Sequence, residues 1–352
     1  MFSMLSQTHI GYQYWQMPVR NSMPPTSRIA SGEATFALGD DIHIRYTVEN
    51  SLGAWPGDNQ YNGPLGYSAP DPHLLPMDRF GLSRWVDVSA GGDQDVDFSV
   101  TTSNDWVSAE PNSGHINCDG TTDTRVFIKI DWSKAEGDEI QVIFASSDKA
   151  PPMTVTIPLL HRNVSPDFHG AVVGDGYVVL EAAHFDATSD VTFRGVRHYW
   201  AQVPYYGRTH SSMTVFPVTE HRLPVGSRPT LRYRVFAFDS GDFDLIFLIG
   251  PSLNYVLGDK LAFGIQIDDG KILEVEPIPA APLGDLPSDW EKVVADEIRE
   301  VRQKITLVGG PVHTLTVHGI TSGINLERVM IDFGGISARG HSYLGPPESI
   351  IL

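Results

Sequence analysis

The chain has 352 residues, about twice the length of one typical domain, and this length predicts two domains. Hydrophobic residues make up 41% and charged residues 19%, a balance that excludes disorder along the whole chain. The chain has 43 Asp and Glu residues against 25 Lys and Arg residues. The resulting net charge of −18 argues against nucleic acid and membrane surfaces as partners.

The N-terminal residues differ in composition from the rest of the chain. Residues 7–25 are rich in aromatic and polar side chains and end in two consecutive prolines. This composition is typical of the end of a domain rather than of its beginning. We therefore expect residues 1–29 to be the end of an upstream domain, which makes the chain the C-terminal part of a longer protein. The alternative is a short ordered arm that lies on the first sheet.

Short segments in which apolar and polar residues alternate dominate the next part of the chain. This alternation is the pattern of half-buried strands. The chain also has 33 glycines and 25 prolines, which favour frequent turns between strands. We expect an immunoglobulin-like β-sandwich over residues 30–162. The strands with the clearest alternation are 42–48, 96–100, 126–132, 140–144 and 153–159.

A long segment rich in glycine and proline interrupts this domain. It covers residues 51–79 and carries Trp55, Tyr61 and Tyr67. Loops of this length are uncommon in compact domains and are often functional. The aromatic rings argue against the alternative, which is a flexible insertion.

A polar, proline-containing link at residues 161–167 marks the start of a second domain. Strand patterns resume after it, and Asp269-Gly270 indicates a hairpin because glycine accepts positive φ without strain. We expect a C-terminal, jelly-roll-like β-sandwich over residues 163–352, so the fold class of the chain is all-β. The expected strands are 177–181, 231–238, 244–249, 261–267, 272–275, 314–317 and 328–333.

One helix is expected in the second domain. Residues 288–291 form a capping box directly after Pro287. Apolar residues then occur at helical spacing, which predicts that a short helix continues through them. They are Val294, Ile298, Val301 and Ile305.

Local motifs for catalysis or metal binding are absent from the sequence. It contains no Gly-x-Ser-x-Gly, no phosphate-binding glycine motif and no His-Glu-x-x-His. Asp93, Asp95 and Asp97 would share one side of a strand, where calcium is one interpretation and a solvated acidic face is the other. We expect no catalytic residue, no metal site and no cofactor in this chain.

The densest group of aromatic and basic residues lies at 197–209, with four aromatic residues and two arginines. Flat rings with polar rims suit the faces of pyranose sugars, and arginines suit hydroxyls or a uronate carboxylate. We predict that Tyr205, Tyr206 and Arg208, on a loop, bind carbohydrate. Trp200 is a further candidate, for which a buried brace of the sandwich is the alternative.

Several segments resemble the xylan α-1,2-glucuronidases of glycoside hydrolase family 115. Residues 9–24 resemble the junction after the helical region of that family, and residues 200–212 resemble a stretch of its C-terminal region. The most specific segment is Ser-Tyr-Leu-Gly-Pro-Pro-Glu-Ser at 342–349. An Asp-Asn pair of the family appears here as Asp296-Glu297. Residues 98–131 resemble more loosely a bacterial immunoglobulin-like module.

This resemblance implies a function and adds candidate residues. The family removes 4-O-methylglucuronic acid from xylan, and its catalytic carboxylates lie on a (β/α)₈ barrel, which needs about 250 residues of its own. No segment of the chain has that pattern. The resemblance therefore implies a non-catalytic accessory region that supports domain packing or dimerisation and binds xylan. Tyr343 and Glu348 join the carbohydrate-binding candidates.

The implied partners are glucuronoxylan or the catalytic domains of a parent enzyme, with a homodimer as a further option. The polymeric substrate of the family implies an extracellular location. Two other functions stay open. One is a purely structural or interaction protein that binds no sugar, and the other is an autonomous glycosidase.

Overall fold

The computed structural model describes residues 41–50, 55, 72–256, 259–282, 284–338 and 343–352. Residues 1–29, Tyr61 and Tyr67, for which the sequence gives expectations, lie outside these ranges. The chain divides into two compact units. The first unit ends at Ile157 and excludes residues 76–82, which belong with residues 158–352 to the second unit. None of the helices among the described residues is long and apolar enough to cross a membrane.

Two mainly antiparallel sheets form the first unit. The order of one sheet is β1-β3-β7-β5, and the order of the other is β9-β8-β4-β6. A short strand, β2, pairs with the last two residues of β9, and these residues belong to the second unit. The strands are β1 (Ile44–Val48), β2 (Met77–Asp78), β3 (Arg84–Ala90), β4 (Val96–Thr102), β5 (Val107–Glu110), β6 (Ser113–Ile116), β7 (Thr124–Ile130), β8 (Glu139–Ser146) and β9 (Met153–Leu160).

The core of the first unit lies between these two sheets. Buried and exposed residues alternate along β4 and β8, as the sequence pattern predicts for strands with one apolar face. The ring of Tyr46 on β1 lies 5.5 Å from the ring of Phe144 on β8, so side chains of both sheets meet in one core. This arrangement is a β-sandwich.

The second unit also contains two large sheets. The first has the order β10-β16-β21-β18-β19, with β12 beside β16, and the second has the order β13-β14-β15-β22-β17-β20, with β11 beside β22. The strands are β10 (Ala171–Val172), β11 (Tyr177–Glu181), β12 (Ala187–Ser189), β13 (Val191–Phe193), β14 (Val196–Pro204), β15 (Ser211–Phe216), β16 (Thr230–Phe236), β17 (Gly241–Ile249), β18 (Phe263–Ile267), β19 (Leu273–Val275), β20 (Arg299–Leu307), β21 (Val312–Gly319) and β22 (Leu326–Asp332).

One apolar core joins the two sheets of the second unit. Phe247 on β17 and Phe263 on β18 are buried, and their ring centroids lie 4.9 Å apart in an edge-to-face arrangement. The same cluster includes side chains from most other strands of both sheets. The prediction of an all-β chain with two β-sandwich domains is therefore confirmed.

The C-terminal residues add to the edge of the first sheet of this unit. Ile351 forms an antiparallel bridge with Ala171 on β10. The main-chain N–H and C=O groups of Leu352 both bond to Gly170, at 2.9 and 3.1 Å. The last residues thus occupy the side of β10 that β16 leaves open.

The helix of the second unit is shorter than its sequence pattern predicts. Helix α1 (Trp290–Asp296) ends at Glu297, which has a left-handed φ of 60°. Val301 and Ile305 lie on β20 instead, with their side chains in the core. A spacing of four residues fits a strand as well as a helix, and burial against the core favoured the strand. A second helix, α2 (Gly335–Ala338), comes after β22 and was not expected.

Replacement of Phe247 by alanine tests the core of the second unit. We expect Phe247→Ala to lower the free energy of unfolding by about 3–5 kcal/mol, because loss of a buried aromatic side chain leaves a cavity. The control is Val308→Ala, at a side chain that is 70% exposed, for which we expect a change below about 0.5 kcal/mol. Urea unfolding measures both, and similar effects of the two variants would contradict this assignment of the core.

Candidate functional site

The turn that joins β14 to β15, residues 205–210, carries three of the predicted carbohydrate-binding residues. Tyr205 has a positive φ of 59°, and its N–H donates to the main-chain oxygen of His210 at 3.1 Å. Gly207 is required in this turn, because a Cβ at this residue would lie 2.4 Å from the carboxyl carbon of Glu327. The turn leaves the side chain of Tyr205 98% exposed.

Tyr206 and Trp200 are less accessible than Tyr205. The ring of Tyr206 packs on Gly250, where a Cβ would lie 2.6 Å from the ring, and burial raises the pKa of the Tyr206 hydroxyl. Trp200 is only 7% exposed, and its Nε1 donates to the main-chain oxygen of Pro229 at 3.1 Å. Trp200 is thus a residue of the core and has no ring face open to a ligand.

Arg208 connects the β14–β15 turn to two other parts of the chain. Its Nε and Nη2 donate to the main-chain oxygen of Asp296, at 2.8 and 2.6 Å. Its Nη1 donates to the main-chain oxygen of Tyr343 at 2.8 Å. The guanidinium also stacks on the Tyr343 ring, 4.0 Å from the ring centroid. Arg208 therefore ties the turn to the end of α1 and to the C-terminal tail, residues 343–352.

Tyr343 lies in the same group of contacts. Its hydroxyl oxygen is 3.0 Å from the main-chain oxygen of Asp296 and 3.0 Å from Oε2 of Glu297. Partial burial, followed by the hydrogen bond with Glu297, raises the pKa of Tyr343. The ring itself is 52% exposed. The structure thus brings Arg208 and Tyr343 together beside Asp296 and Glu297. In the family resemblance, this pair is Asp-Asn rather than Asp-Glu.

A buried ion pair between β11 and β22 holds the tail in place. Nε of Arg328 donates to Oε1 of Glu181 at 2.7 Å, and both side chains are buried. Nη1 of Arg328 also donates to the main-chain oxygens of Leu344 and Pro346, at 3.0 and 2.8 Å. Thr209 in the turn donates to the other oxygen of Glu181 at 2.7 Å. Sequence reasoning missed this pair, although charged residues in otherwise apolar strands were a signal for it.

Glu348 has a partner within the chain. Its Oε1 accepts from the main-chain N–H of Glu181 at 3.0 Å, and its carboxylate lies 2.8 Å from Nδ1 of His184. The next residue, Ser349, forms two bonds with the main chain of Val179, each of 2.9 Å. Glu348 thus fixes the tail to β11 and lies apart from the Arg208 contacts.

Glu327 is a second residue that sequence reasoning missed. Its side chain is 1% exposed, and Oε2 accepts from the main-chain N–H of Arg208 at 3.0 Å. Oε1 has no hydrogen-bond partner among the described residues. Burial raises the pKa of Glu327, while the bond with the Arg208 N–H opposes this effect.

A cleft of about 490 Å³ lies beside Arg208 and Tyr343. The end of the β14–β15 turn, α1, the start of β20 and the tail form its walls. Two of the six predicted carbohydrate-binding residues therefore line one cavity, whereas Tyr205 is exposed on the turn. The lining residues are Arg208, Asp289, Lys292, Val293, Asp296, Ile298, Arg299, Glu300 and Tyr343.

The described ranges contain no group of three or more His, Cys, Asp or Glu residues that could hold a metal ion. Asp95 accepts from the main-chain N–H of Cys118 at 2.8 Å, and Asp97 lies 2.7 Å from Nδ1 of His115. These contacts give both aspartates partners within the chain.

The family of the chain is shown by its match to a family model. The model described as "Glycosyl hydrolase family 115 C-terminal domain" matches residues 170–348, which is half of the chain. The chain belongs to glycosyl hydrolase family 115, and the resemblance noted in its sequence is confirmed. No curated protein matches the sequence.

Solved structures give weaker likenesses. A "family GH115 4-O-Methyl-alpha-glucuronidase, BtGH115A, with specificity for decorated arabinogalactans" is 14% identical over 49% of this chain, with a TM-score of 0.32. The match spans 19% of that protein. A family 35 carbohydrate-binding module from Clostridium thermocellum is 11% identical over 44% of this chain and 96% of the module, with a TM-score of 0.29.

Replacement of Arg328 tests the buried ion pair. We expect Arg328→Met to lower the free energy of unfolding by about 3–5 kcal/mol, because it leaves the buried carboxylate of Glu181 without its charge partner. The control is Arg302→Met, at an exposed pair with Glu300, for which we expect about 0–1 kcal/mol. Chemical unfolding measures both, and an effect of Arg328→Met as small as that of the control would contradict the assignment.

Glu327 predicts a dependence of stability on pH. Because its folded pKa is raised, only the unfolded chain ionises this group as the pH rises from the ordinary value of 4.5 towards the folded value. The folded state therefore loses stability across this window. We expect Glu327→Gln, which cannot ionise, to gain stability relative to the natural chain as the pH rises. Unfolding at several pH values measures this, and a constant difference would contradict it.

Proposed function

We propose that the chain is the non-catalytic C-terminal accessory region of a xylan α-glucuronidase. It packs against the catalytic domains of its parent enzyme or binds glucuronoxylan. The observation that carries this proposal is the match of residues 170–348 to the C-terminal domain of the family. An extracellular location accompanies the proposal, because the polymer lies outside the cell.

The charges of the cleft support a non-catalytic role. A glycosidase needs two carboxyl groups on either side of the bond that it cleaves, and one of them has to donate a proton. In the cleft, Asp289 pairs with Arg299, which lowers the pKa of Asp289 and keeps it ionised. Asp296 pairs with Lys292, four residues earlier on α1. These carboxylates are engaged with cations and suit a binding surface better than acid–base chemistry.

The β14–β15 turn is the proposed contact surface. Tyr205 holds a ring in solvent, in a backbone conformation that few residues other than glycine adopt. A solvated ring of this kind stacks on a pyranose face or inserts into a pocket of another domain. Tyr206 lies beside it on Gly250 and supports the turn.

A second candidate function has its own support. Arg208, Glu348 and Tyr343 all make hydrogen bonds within the chain. Such contacts suit a purely structural or interaction role, in which the unit stabilises a parent enzyme or a homodimer without binding sugar.

Affinity electrophoresis in gels with glucuronoxylan separates these functions. We expect the polymer to retard the full chain, and Tyr205→Ala to weaken the retardation about two- to tenfold, the equivalent of roughly 0.5–1.5 kcal/mol for the loss of one exposed ring contact. We expect a similar loss for Tyr206→Ala, because the turn that presents Tyr205 then lacks its support on Gly250. Val225→Ala, at another exposed apolar side chain of the same unit, is the control. If the polymer does not retard the natural chain, xylan binding is wrong and the structural role is favoured.

A further inference from the structure

The segment between β9 and β10 carries the sequence Asn163-Val164-Ser165. An asparagine followed two residues later by serine or threonine, with any residue except proline between them, is the acceptor sequence for N-linked glycans. No other asparagine of the chain has serine or threonine two residues later. A three-residue motif occurs often by chance, so modification also requires a suitable position in the fold.

The motif lies on the surface in an extended segment. Residues 161–170 contain no helix or strand, and Asn163 and Ser165 are exposed. Val164 is half-buried and packs against the aromatic cluster around Phe168. Exposure alternates along this segment, as it does in an extended chain, in which side chains two residues apart point the same way. The amide of Asn163 and the hydroxyl of Ser165 therefore both face solvent.

The side-chain amide of Asn163 uses only its oxygen within the chain. Nη1 of Arg79 donates to Oδ1 of Asn163 at 3.4 Å, between two exposed side chains. Arginine has only donors, so the amide atom that faces it is the oxygen and not the nitrogen. Nδ2 has no hydrogen-bond partner within the described ranges. The atom to which an N-linked glycan is attached is thus the one that the fold leaves free.

Ser165 begins a turn that fixes the end of the motif. Its main-chain oxygen accepts from the N–H of Phe168 at 3.0 Å, and Pro166 occupies the second position of the turn, where proline is favoured. The Ser165 Oγ accepts from the N–H of Asp167 at 3.4 Å. Because Oγ is the acceptor in this contact, its O–H can still donate to the enzyme that recognises the motif.

The fold also has room for a glycan at this position. A glycan on asparagine is bulky and polar and has to lie in solvent. Val164 holds the segment on its inner side, whereas Asn163 and Ser165 belong to none of the apolar clusters of the second unit. Modification of Nδ2 therefore disturbs no core packing, and the contact next to it is the exposed bond from Arg79.

We infer that Asn163 is the acceptor of an N-linked glycan when the chain passes through a eukaryotic secretory pathway. The co-substrate is an oligosaccharide carried on a lipid diphosphate. Nδ2 forms a bond with the anomeric carbon of the first sugar, and the bond from that carbon to the diphosphate oxygen breaks. The lipid diphosphate leaves, Nδ2 loses one proton, and nothing is oxidised or reduced. This inference goes beyond the proposed function and rests only on the extracellular location that accompanies it.

Secretion of the full chain from yeast, behind a secretion signal from another protein, tests the inference. We expect the chain to gain the mass of one oligosaccharide, and a peptide-N-glycosidase to remove it and leave aspartate at residue 163. Mass spectrometry of the intact chain and of its peptides measures both. Chain that stays in the secretory membranes is measured in the same way. An unmodified Asn163 in both fractions would overturn the inference.

Variants locate the acceptor. We expect Asn163→Gln and Ser165→Ala to lose the glycan completely, and Ser165→Thr to keep it, because threonine retains the hydroxyl group. Asn112→Gln is the matched control, since Asn112 is also exposed but has Gly114 two residues later, and we expect no change. A glycan that remains in Asn163→Gln or in Ser165→Ala would overturn the assignment. If a variant does not fold, the modified peptide of the natural chain decides.

This test is independent of the experiment with glucuronoxylan. A glycan on Asn163 of a chain that the polymer does not retard would support the acceptor site and contradict polymer binding. Retardation of a chain whose Asn163 stays unmodified after passage through the pathway would support the polymer contact and overturn the acceptor site.

Discussion

The arrangement of the candidate site depends on one buried ion pair. Glu181 and Arg328 lie on neighbouring strands, where burial of either charge alone would be strongly unfavourable. Each therefore needs the other, and each has further hydrogen-bond capacity that the strands do not use. The tail and the β14–β15 turn provide the missing partners, through two main-chain oxygens and one hydroxyl group. Burial of the pair thus determines where both segments lie.

Arg208 extends this network from the core to the surface. The ion pair places the turn and the tail next to each other, and Arg208 then joins both to the end of α1. Each contact uses a charged donor and a main-chain oxygen, so the geometry depends on the backbone path rather than on a second flexible side chain. The cleft lies among these three segments. The hydrogen bonds of Arg208 therefore hold the three segments that form the walls of the cleft.

Much of the fold was predictable from the sequence, but the site was predictable only in part. Alternation identified strands such as β4 because the core selects apolar residues on one face. It failed at Val301 and Ile305, whose spacing fits a helix and a strand equally well. Burial of Trp200 and the intramolecular role of Glu348 depend on residues far away in sequence, such as Pro229 and His184. No local pattern carries that information.

The C-terminal residues cover a strand edge that would otherwise be exposed. An exposed strand edge is a template for pairing with other molecules, and β10 would present one on the side away from β16. Leu352 and Ile351 occupy that side with main-chain bonds of their own. The last few residues thus cover the edge of the sheet. Their removal would leave main-chain N–H and C=O groups of β10 free to pair with a strand of another molecule.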